Sequence, residues 1–295
     1  MTNLGPFTVR RIGFGAMQLP GPGVFGPPRD ADAARAVLRR AVELGVDHVD
    51  TAQYYGPDVA NDLIREALFP YPEGLRLVTK VGGSRDEKGA WLPAQRPEEL
   101  RAGVEDNLRS LEVERMALVN LRLIGDGGPP QVPLAEQLGE LEELRAEGKL
   151  KLIGLSNVGA DTVREALGLA DIAGVQNGYS LLDRSQEDVL ELCAEHGLAF
   201  VPFFPLGSAF TGGPSTLAGD PAVAGVASKH TATPSQVALA WLLQRDEHIL
   251  LIPGTSSVAH LEENLAAGEI ELDQEDLETL ERVPQVGDPH RAVRD

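Results

Sequence analysis

Cysteine is almost missing from the 295 residues: Cys193 is the only one, so no disulfide can form within the chain. It sits in Asp188-Val-Leu-Glu-Leu-Cys-Ala-Glu-His196, a helical pattern, and reads as a small buried hydrophobe rather than a reactive thiol. Lysine is scarce too. Lys80, Lys88, Lys149, Lys151 and Lys229 are the whole set, and arginine supplies the remaining positive charge. Basic residues number 26 against 45 acidic ones, a net charge of −19. That deficit argues against a nucleic-acid binder, because phosphates attract basic faces, and against a role on an anionic membrane surface. There is no run of about 18 apolar residues to span a membrane. The stretch Met1–Arg10 has no basic start followed by an apolar core, so no secretory signal is expected, and the expected location is cytoplasmic. No Ser- or Pro-rich linker divides the chain, and no metal site is expected.

What is present is a core. Residues of the hydrophobic class make up 42% of the chain, too many for a disordered protein. Short apolar runs alternate with helical patterns. The expected strands are Ile12–Met17, Val46–Asp50, Arg76–Val81, Met116–Ile124, Lys151–Leu155, Gly174–Gln176, Ala199–Phe204 and His248–Ile252. The expected helices are Asp32–Leu44, Ala60–Leu68, Pro97–Ser110, Leu134–Glu147, Ala160–Leu169, Gln186–His196, Pro234–Gln244 and Val258–Ala266. Asp30, Pro97 and Thr233-Pro234 mark helix starts, and Gly45, Gly148 and Gly197 follow helix ends. Eight strand–helix units predict an α/β protein, a (β/α)8 TIM barrel. A doubly wound sheet would need a Gly-x-Gly-x-x-Gly turn. Gly13-Phe-Gly15 lacks the third glycine, and Pro20, Pro22, Pro27 and Pro28 follow it. The whole chain, 1–295, is expected to form one barrel domain with an additional C-terminal helix, Gln274–Val283, and a short polar tail. Loops rich in glycine and proline (Gly21–Pro28, Gly125–Pro133, Gly207–Gly219) follow strands, where a barrel builds its active site.

Function in such a barrel sits at the C-terminal strand ends. There the sequence places Asp50 followed by Thr51-Ala-Gln-Tyr-Tyr55-Gly56, then Lys80, then Asn120 and Arg122, then Ser156-Asn157, Gln176 and Phe203-Phe204-Pro205. A lysine ending an apolar strand needs a partner, and Asp50 can supply one. An ammonium beside a phenol favours the phenolate, so Asp50, Lys80 and a tyrosine form a plausible general-acid assembly. A rim salt bridge beside a packed tyrosine would use the same residues.

Seven segments carry a family resemblance: Asp50-Thr-Ala-Gln-Tyr-Tyr55-Gly56, Val78-Thr-Lys80, Gly148-Lys-Leu-Lys-Leu-Ile-Gly-Leu-Ser-Asn157, Gln176-Asn-Gly-Tyr179, Pro205-Leu-Gly-Ser208, Pro234-Ser-Gln-Val-Ala-Leu-Ala-Trp241 and Ile252-Pro-Gly-Thr-Ser-Ser…Leu-Glu-Glu-Asn264. They resemble, in order and over nearly the whole chain, the signatures of the aldo-keto reductases. The resemblance implies an NADPH-dependent carbonyl reductase acting on a small-molecule aldehyde or ketone. It implies Tyr55 as general acid, Lys80 as the partner lowering its pKa and Asp50 as the carboxylate holding that lysine. Ser156, Asn157 and Gln176 match the groups around the nicotinamide carboxamide, and Phe203 the aromatic residue stacked on its ring. Leu206, Gly207 and Ser208 match the pyrophosphate loop. Pro253 and Gly254 precede Thr255, Ser256 and His260, which match the 2′-phosphate site, with Glu263 and Asn264 at the adenine. Gly15, Ala16 and Met17 match the first-strand edge of the cofactor cleft. Simpler readings stay open: Phe203 as core, His260 as a solvated helix residue, Gly207 as a turn.

Two departures stand out. The family's catalytic histidine ends the fourth strand, where Ala117-Leu-Val-Asn-Leu-Arg122 puts arginine. Arginine cannot give up a proton at neutral pH, but it can hydrogen-bond a carbonyl oxygen and stabilise developing negative charge. It would also depress the pKa of Tyr55 or favour substrates with a nearby anionic group, unless it only pairs with Asp126. At the 2′-phosphate the usual lysine and arginine read Gly254 and His260, so NADH is not excluded. Phe25, Tyr54, Trp91 and Leu123 are the expected substrate-pocket walls. The missing histidine also supports a second function, a regulatory or accessory barrel that binds cofactor with little turnover. A Schiff-base role for Lys80 would leave Ser156, Asn157 and Gln176 unexplained.

Overall fold

The computed structural model describes residues 1–124, 132–207 and 213–286. The chain starts with a hairpin that hydropathy does not foretell. Here β1 (Thr2–Leu4) and β2 (Phe7–Val9) pair antiparallel around Gly5, at φ 55°. Next come β3 (Phe14–Gly15), α1 (Ala31–Glu43), β4 (His48–Asp50), α2 (Val59–Leu68), β5 (Arg76–Arg85), β6 (Trp91–Ala94), α3 (Pro97–Leu111) and β7 (Met116–Arg122). They are followed by α4 (Leu134–Ala146), β8 (Leu150–Ser156), α5 (Ala160–Leu167), β9 (Ile172–Gln176), α6 (Glu187–His196) and β10 (Ala199–Phe200). The last elements are α7 (Gly213–Gly219), α8 (Pro221–Lys229), α9 (Pro234–Arg245), α10 (Val258–Ala266) and α11 (Gln274–Glu281).

Strands β3, β4, β5, β7, β8, β9 and β10 lie side by side in that order, all parallel. The eighth place is filled by the segment around Leu250, which bridges both open edges: Ile249 to Phe200 and Leu251 to Ile12. The Leu250 N–H donates to Phe200 O at 2.9 Å, and the Gly13 N–H to Leu251 O at 2.8 Å. The fold is therefore the expected (β/α)8 barrel. The eighth strand, expected over His248–Ile252, is reduced to these bridges. The seventh stops at Phe200, and Pro202 has no N–H to continue a ladder. The first is only Phe14–Gly15, because Ala16–Gln18 turns into a 3-10 helix. The third runs on past Val81 and pairs antiparallel with β6. Helix α7 stands within the loop expected over Gly207–Gly219, and α8 follows where no element is expected. The sequence signal for α8 is Asp220-Pro221, whose carboxylate accepts from the N–H groups of Ala222 and Val223.

Strand alternation sorts the side chains. Phe14, Val49, Val119, Leu121, Ile153, Leu155, Val175 and Phe200 face the helices and join the main core. Inside the barrel, Val78, Leu118, Leu152, Ala199 and Leu250 form an apolar layer with Leu4 and Val9 of the hairpin, which plugs the floor. Two residues further along β5 and β7 come Lys80 and Asn120, with Asp50 of β4 and Gln176 of β9 beside them, so the apolar layer lies under the site. A buried polar network ties α2 and α3 to the ends of β4 and β5. Thr51 Oγ1 donates to Asn61 Oδ1 at 2.8 Å. Asn61 Nδ2 donates to Asn107 Oδ1 and Ser110 Oγ, and Thr79 Oγ1 donates to Asn107 Oδ1 at 2.6 Å. Cys193 is fully buried on α6, and burial pushes its thiol up to about 12, as the helix pattern predicts.

Helix α11 is docked by charge. Asp276 is 3% exposed and accepts from Lys229 Nζ at 2.8 Å and His230 Nε2 at 2.7 Å. Burial acts to raise its pKa, but the Lys229 and His230 contacts prevail and hold it at about 2. The folded value lies below the ordinary aspartate value of about 3.9. The stabilisation is thus complete above that value and is lost as pH falls through the folded one. Asp276→Asn should destabilise the protein at neutral pH by about 1–2 kcal/mol, allowing for solvent screening of the partners. In urea titrations the deficit should narrow as pH falls from 4 toward 2.

Candidate active site

The polar layer of the barrel gathers the strand-end residues. Lys80 is 2% exposed and Asp50 4%. The Lys80 ammonium donates to Asp50 Oδ1 and, at 3.0 Å, to the carbonyl of Thr51. The second oxygen of Asp50 accepts from Gln176 Nε2 at 2.9 Å. A buried lysine thus finds a carboxylate, and that carboxylate is satisfied from a strand on the far side of the barrel. The Lys80 ammonium lies 5.0 Å from the centre of the Tyr55 ring. Tyr55 is 5% exposed and follows the tight turn after β4, with Tyr54 edge-on at 5.5 Å.

The register puts Arg122, Ser156 and Gln176 on one rung of β7, β8 and β9. The Arg122 guanidinium donates through one terminal nitrogen to Ser156 Oγ at 3.0 Å. It also lies 5.0 Å from the centre of the Phe203 ring. Asp126, the alternative partner, lies outside the described residues. Burial pushes the Tyr55 phenol well above its ordinary value, Asp50 pushes it further and Arg122 pulls it back. The Lys80 ammonium, paired with Asp50, acts to lower the phenol of the adjacent Tyr54, while at Tyr55 the lowering contribution is that of Arg122.

The residues matched to the cofactor surround this layer. Asn157, at φ 61°, donates through Nδ2 to Leu123 O at 2.7 Å. That leaves Asn157 Oδ1 buried with no partner, and Gln176 Oε1 is in the same condition. Two unpartnered acceptors beside Ser156 fit the amide N–H groups of a carboxamide. Gly15 and Gly254 approach closely: a Cβ on Gly15 would come 2.4 Å from Ile252 O, and one on Gly254 2.5 Å from Gly15 O. Ala16 and Met17 follow in the 3-10 turn, and Pro253 precedes Gly254. Thr255 is buried, and its Oγ1 accepts from the Ser257 N–H. Ser256 is exposed; Ser257 caps α10, which carries exposed His260, half-buried Glu263 and buried Asn264. A capped helix start with free N–H groups suits a phosphate. Phe203 is bridged to Gly178 and edge-on to Phe204, at the barrel rim rather than in the core. Leu206 packs on the main core, and Gly207, at φ 83°, closes a turn onto Phe204 O. Ser208 lies outside the described residues.

Of the expected pocket walls, Phe25, Tyr54 and Trp91 come together through a residue the sequence reading missed. Arg85 lies 4.0 Å from the Trp91 ring centre and 5.5 Å from that of Phe25, and donates to Gly23 O at 2.9 Å. Trp91 is in turn edge-on to Tyr54. Leu123 is tied by its main chain to Ser156 and Asn157. The signal for Arg85 was the Lys88-Gly89 turn between it and Trp91, a hairpin cue. His48 was missed as well. It shares a face with Asp50, is 2% exposed, fills the space left by Gly13, and leaves Nε2 without a partner.

The aldo/keto reductase family model matches residues 11–284. The chain belongs to the aldo/keto reductase family. It is similar to the pyridoxine 4-dehydrogenase of Escherichia coli (strain K12), 51% identical over 282 residues, covering 95% of this chain and 96% of that one. An uncharacterised oxidoreductase of Schizosaccharomyces pombe is 40% identical over 92% of this chain and 86% of its own length. Among solved structures, an aldo/keto reductase from Klebsiella pneumoniae in complex with NADP and acetate superposes with a TM-score of 0.78 at 27% identity. The match covers 94% of this chain and 93% of that one. Like its relatives, the chain is an oxidoreductase on a reductase barrel. Among the described residues no helix is long and apolar enough to cross a membrane.

The pair at the centre gives a stability prediction. Asp50→Ala leaves an ammonium buried without its counter-charge and should destabilise by about 3–5 kcal/mol. Asp50→Asn with Lys80→Met should recover much of that. Denaturant unfolding of the single and double variants checks it.

Proposed function

We propose that the protein is an NADP(H)-dependent carbonyl reductase with Tyr55 as general acid. The carrying observation is the convergence of Tyr55, Lys80, Asp50 and Arg122 with two unpartnered amide acceptors on one buried rim. The Klebsiella pneumoniae relative was crystallised with NADP, which supports the same dinucleotide here. Asn157 Oδ1 and Gln176 Oε1 would accept from its carboxamide, and Phe203 would stack on the ring. Leu206, Gly207 and Ser208 would hold the pyrophosphate. Thr255, Ser256, His260 and the N–H groups opening α10 would hold the 2′-phosphate, with Glu263 and Asn264 at the adenine. Gly15, Ala16, Met17, Pro253 and Gly254 would form the edge. When bound, the dinucleotide supplies a hydride to the carbonyl carbon.

The side chains do the rest. Tyr55 donates its phenolic proton to the carbonyl oxygen. Arg122 stabilises the charge that develops on that oxygen and, in turn, the phenolate left on Tyr55. Asp50 and Gln176 hold Lys80 under the tyrosine ring, and the burial of Tyr54 and Tyr55 keeps water from the carbonyl. Tyr54 and Trp91 offer an aromatic wall, which suits an aromatic aldehyde or ketone. The relatedness to the pyridoxine enzyme of Escherichia coli makes pyridoxal the first physiological candidate.

NADPH should be consumed with 4-nitrobenzaldehyde and with pyridoxal, and Tyr55→Phe should lose about 10²–10⁴-fold in kcat. A wild-type protein inert across a broad aldehyde panel would sink the proposal. Tight NADPH binding with negligible turnover would favour the accessory reading. His260→Ala should reduce the preference for NADPH over NADH by up to about tenfold, with NADH kinetics unchanged. An unaltered ratio removes His260 from the phosphate site.

A further inference from the structure

Arginine in place of histidine alters more than charge. A neutral imidazole offers one N–H to a carbonyl oxygen. A guanidinium offers a planar fork of parallel donors, which fits two oxygens lying in one plane. Arg122 is held so that this fork is fixed. Ser156 takes one terminal nitrogen, the Phe203 ring lies against the guanidinium, and the strand register seats it one layer above the Lys80–Asn120 rung. The neighbouring cation Lys80 is matched by Asp50, whereas among the described residues the side chain that Arg122 hydrogen-bonds is the neutral hydroxyl of Ser156. An extra negative charge beside the reacting carbonyl would therefore meet net positive charge from Lys80, Asp50 and Arg122 together, in a protein of net charge −19.

We infer that Arg122 is a specificity residue that selects carbonyl compounds bearing an acidic oxygen coplanar with the carbonyl oxygen, such as ortho-hydroxyaryl aldehydes and 2-oxo acids. The inference rests on the carbonyl-reductase proposal and narrows its substrate class. Tyr55 takes the carbonyl oxygen as hydrogen-bond acceptor. Arg122 donates to the carbonyl oxygen and to its ionised neighbour together, holding the carbonyl in one rotational setting. The aromatic body then lies toward Tyr54 and Trp91. Pyridoxal, whose ring hydroxyl is ortho to its aldehyde, has this arrangement.

The test compares 2-hydroxybenzaldehyde, 2-methoxybenzaldehyde and 4-nitrobenzaldehyde in mildly alkaline buffer, where the first is ionised. Wild type should prefer the hydroxy over the methoxy compound by about tenfold or more in kcat/KM. Arg122→Gln should collapse that ratio toward one, and Arg122→Lys, which keeps charge but loses the fork, should retain only part of it. Independently, titrating the wild-type NADP+ complex with 2-hydroxybenzaldehyde should raise the near-ultraviolet band of the bound phenolate at a pH where the free compound is largely neutral. A wild-type ratio near one with all three aldehydes reduced, or no phenolate band, overturns the inference while leaving the reductase proposal standing. A ratio that survives Arg122→Gln overturns it as well. Inertness toward all three aldehydes removes the reductase proposal, and this inference falls with it.

Discussion

A lysine buried inside a barrel needs its charge met, and the Lys80–Asp50 pair is the constraint around which the upper barrel is arranged. Each ion is almost fully enclosed, and removing either one strands the other. The protein gives each a second partner. Thr51 gives its carbonyl to the ammonium, and Gln176 gives its amide to the carboxylate. Thr51 is in turn held by Asn61, which joins Asn107 and Ser110 of α3. The chain of polar contacts therefore runs from helices outside the sheet, through the sheet, to the strand opposite. The orientation of the tyrosine that follows β4 depends on all of it.

Charge is distributed with the same economy. The molecule is strongly acidic, yet the rim carries Lys80, Arg85 and Arg122. One is matched by a carboxylate, one lies among aromatic rings and one rests on a hydroxyl and a ring. These three cations offer local positive charge where an anionic dinucleotide or substrate would approach. Lys80 is buried and the two arginines are half-buried, and a charge acts more strongly there than at the open surface.

The catalytic candidates were legible because strand ends are places where polar residues interrupt apolar runs. Asp50, Lys80, Arg122, Ser156 and Gln176 each stand at such an interruption. The extra hairpins were not, since the three-residue strands β1 and β2 carry too few alternations to register a period. The eighth strand was overread: closing the barrel there needs only two bridges, whatever the apolar length. Asn61 and Asn107 look like ordinary helix-surface residues in the sequence, because their partners on other elements lie 10 to 49 positions away. Nor does spacing show that burial raises the Tyr55 phenol, since that enclosure is set by segments distant in the chain.

The closing segment around Leu250 is the thinnest joint in the sheet, with one bridge to each neighbour where β5, β7 and β8 share ladders of four and six residue pairs. Gly15 and Gly254 meet at the mouth of that joint, backbone against backbone. A ring of strands parts first where it is least stitched, so local opening should begin there. A molecule lying across Gly15 and Gly254 would touch both sides of that joint and act as a clasp on the ring.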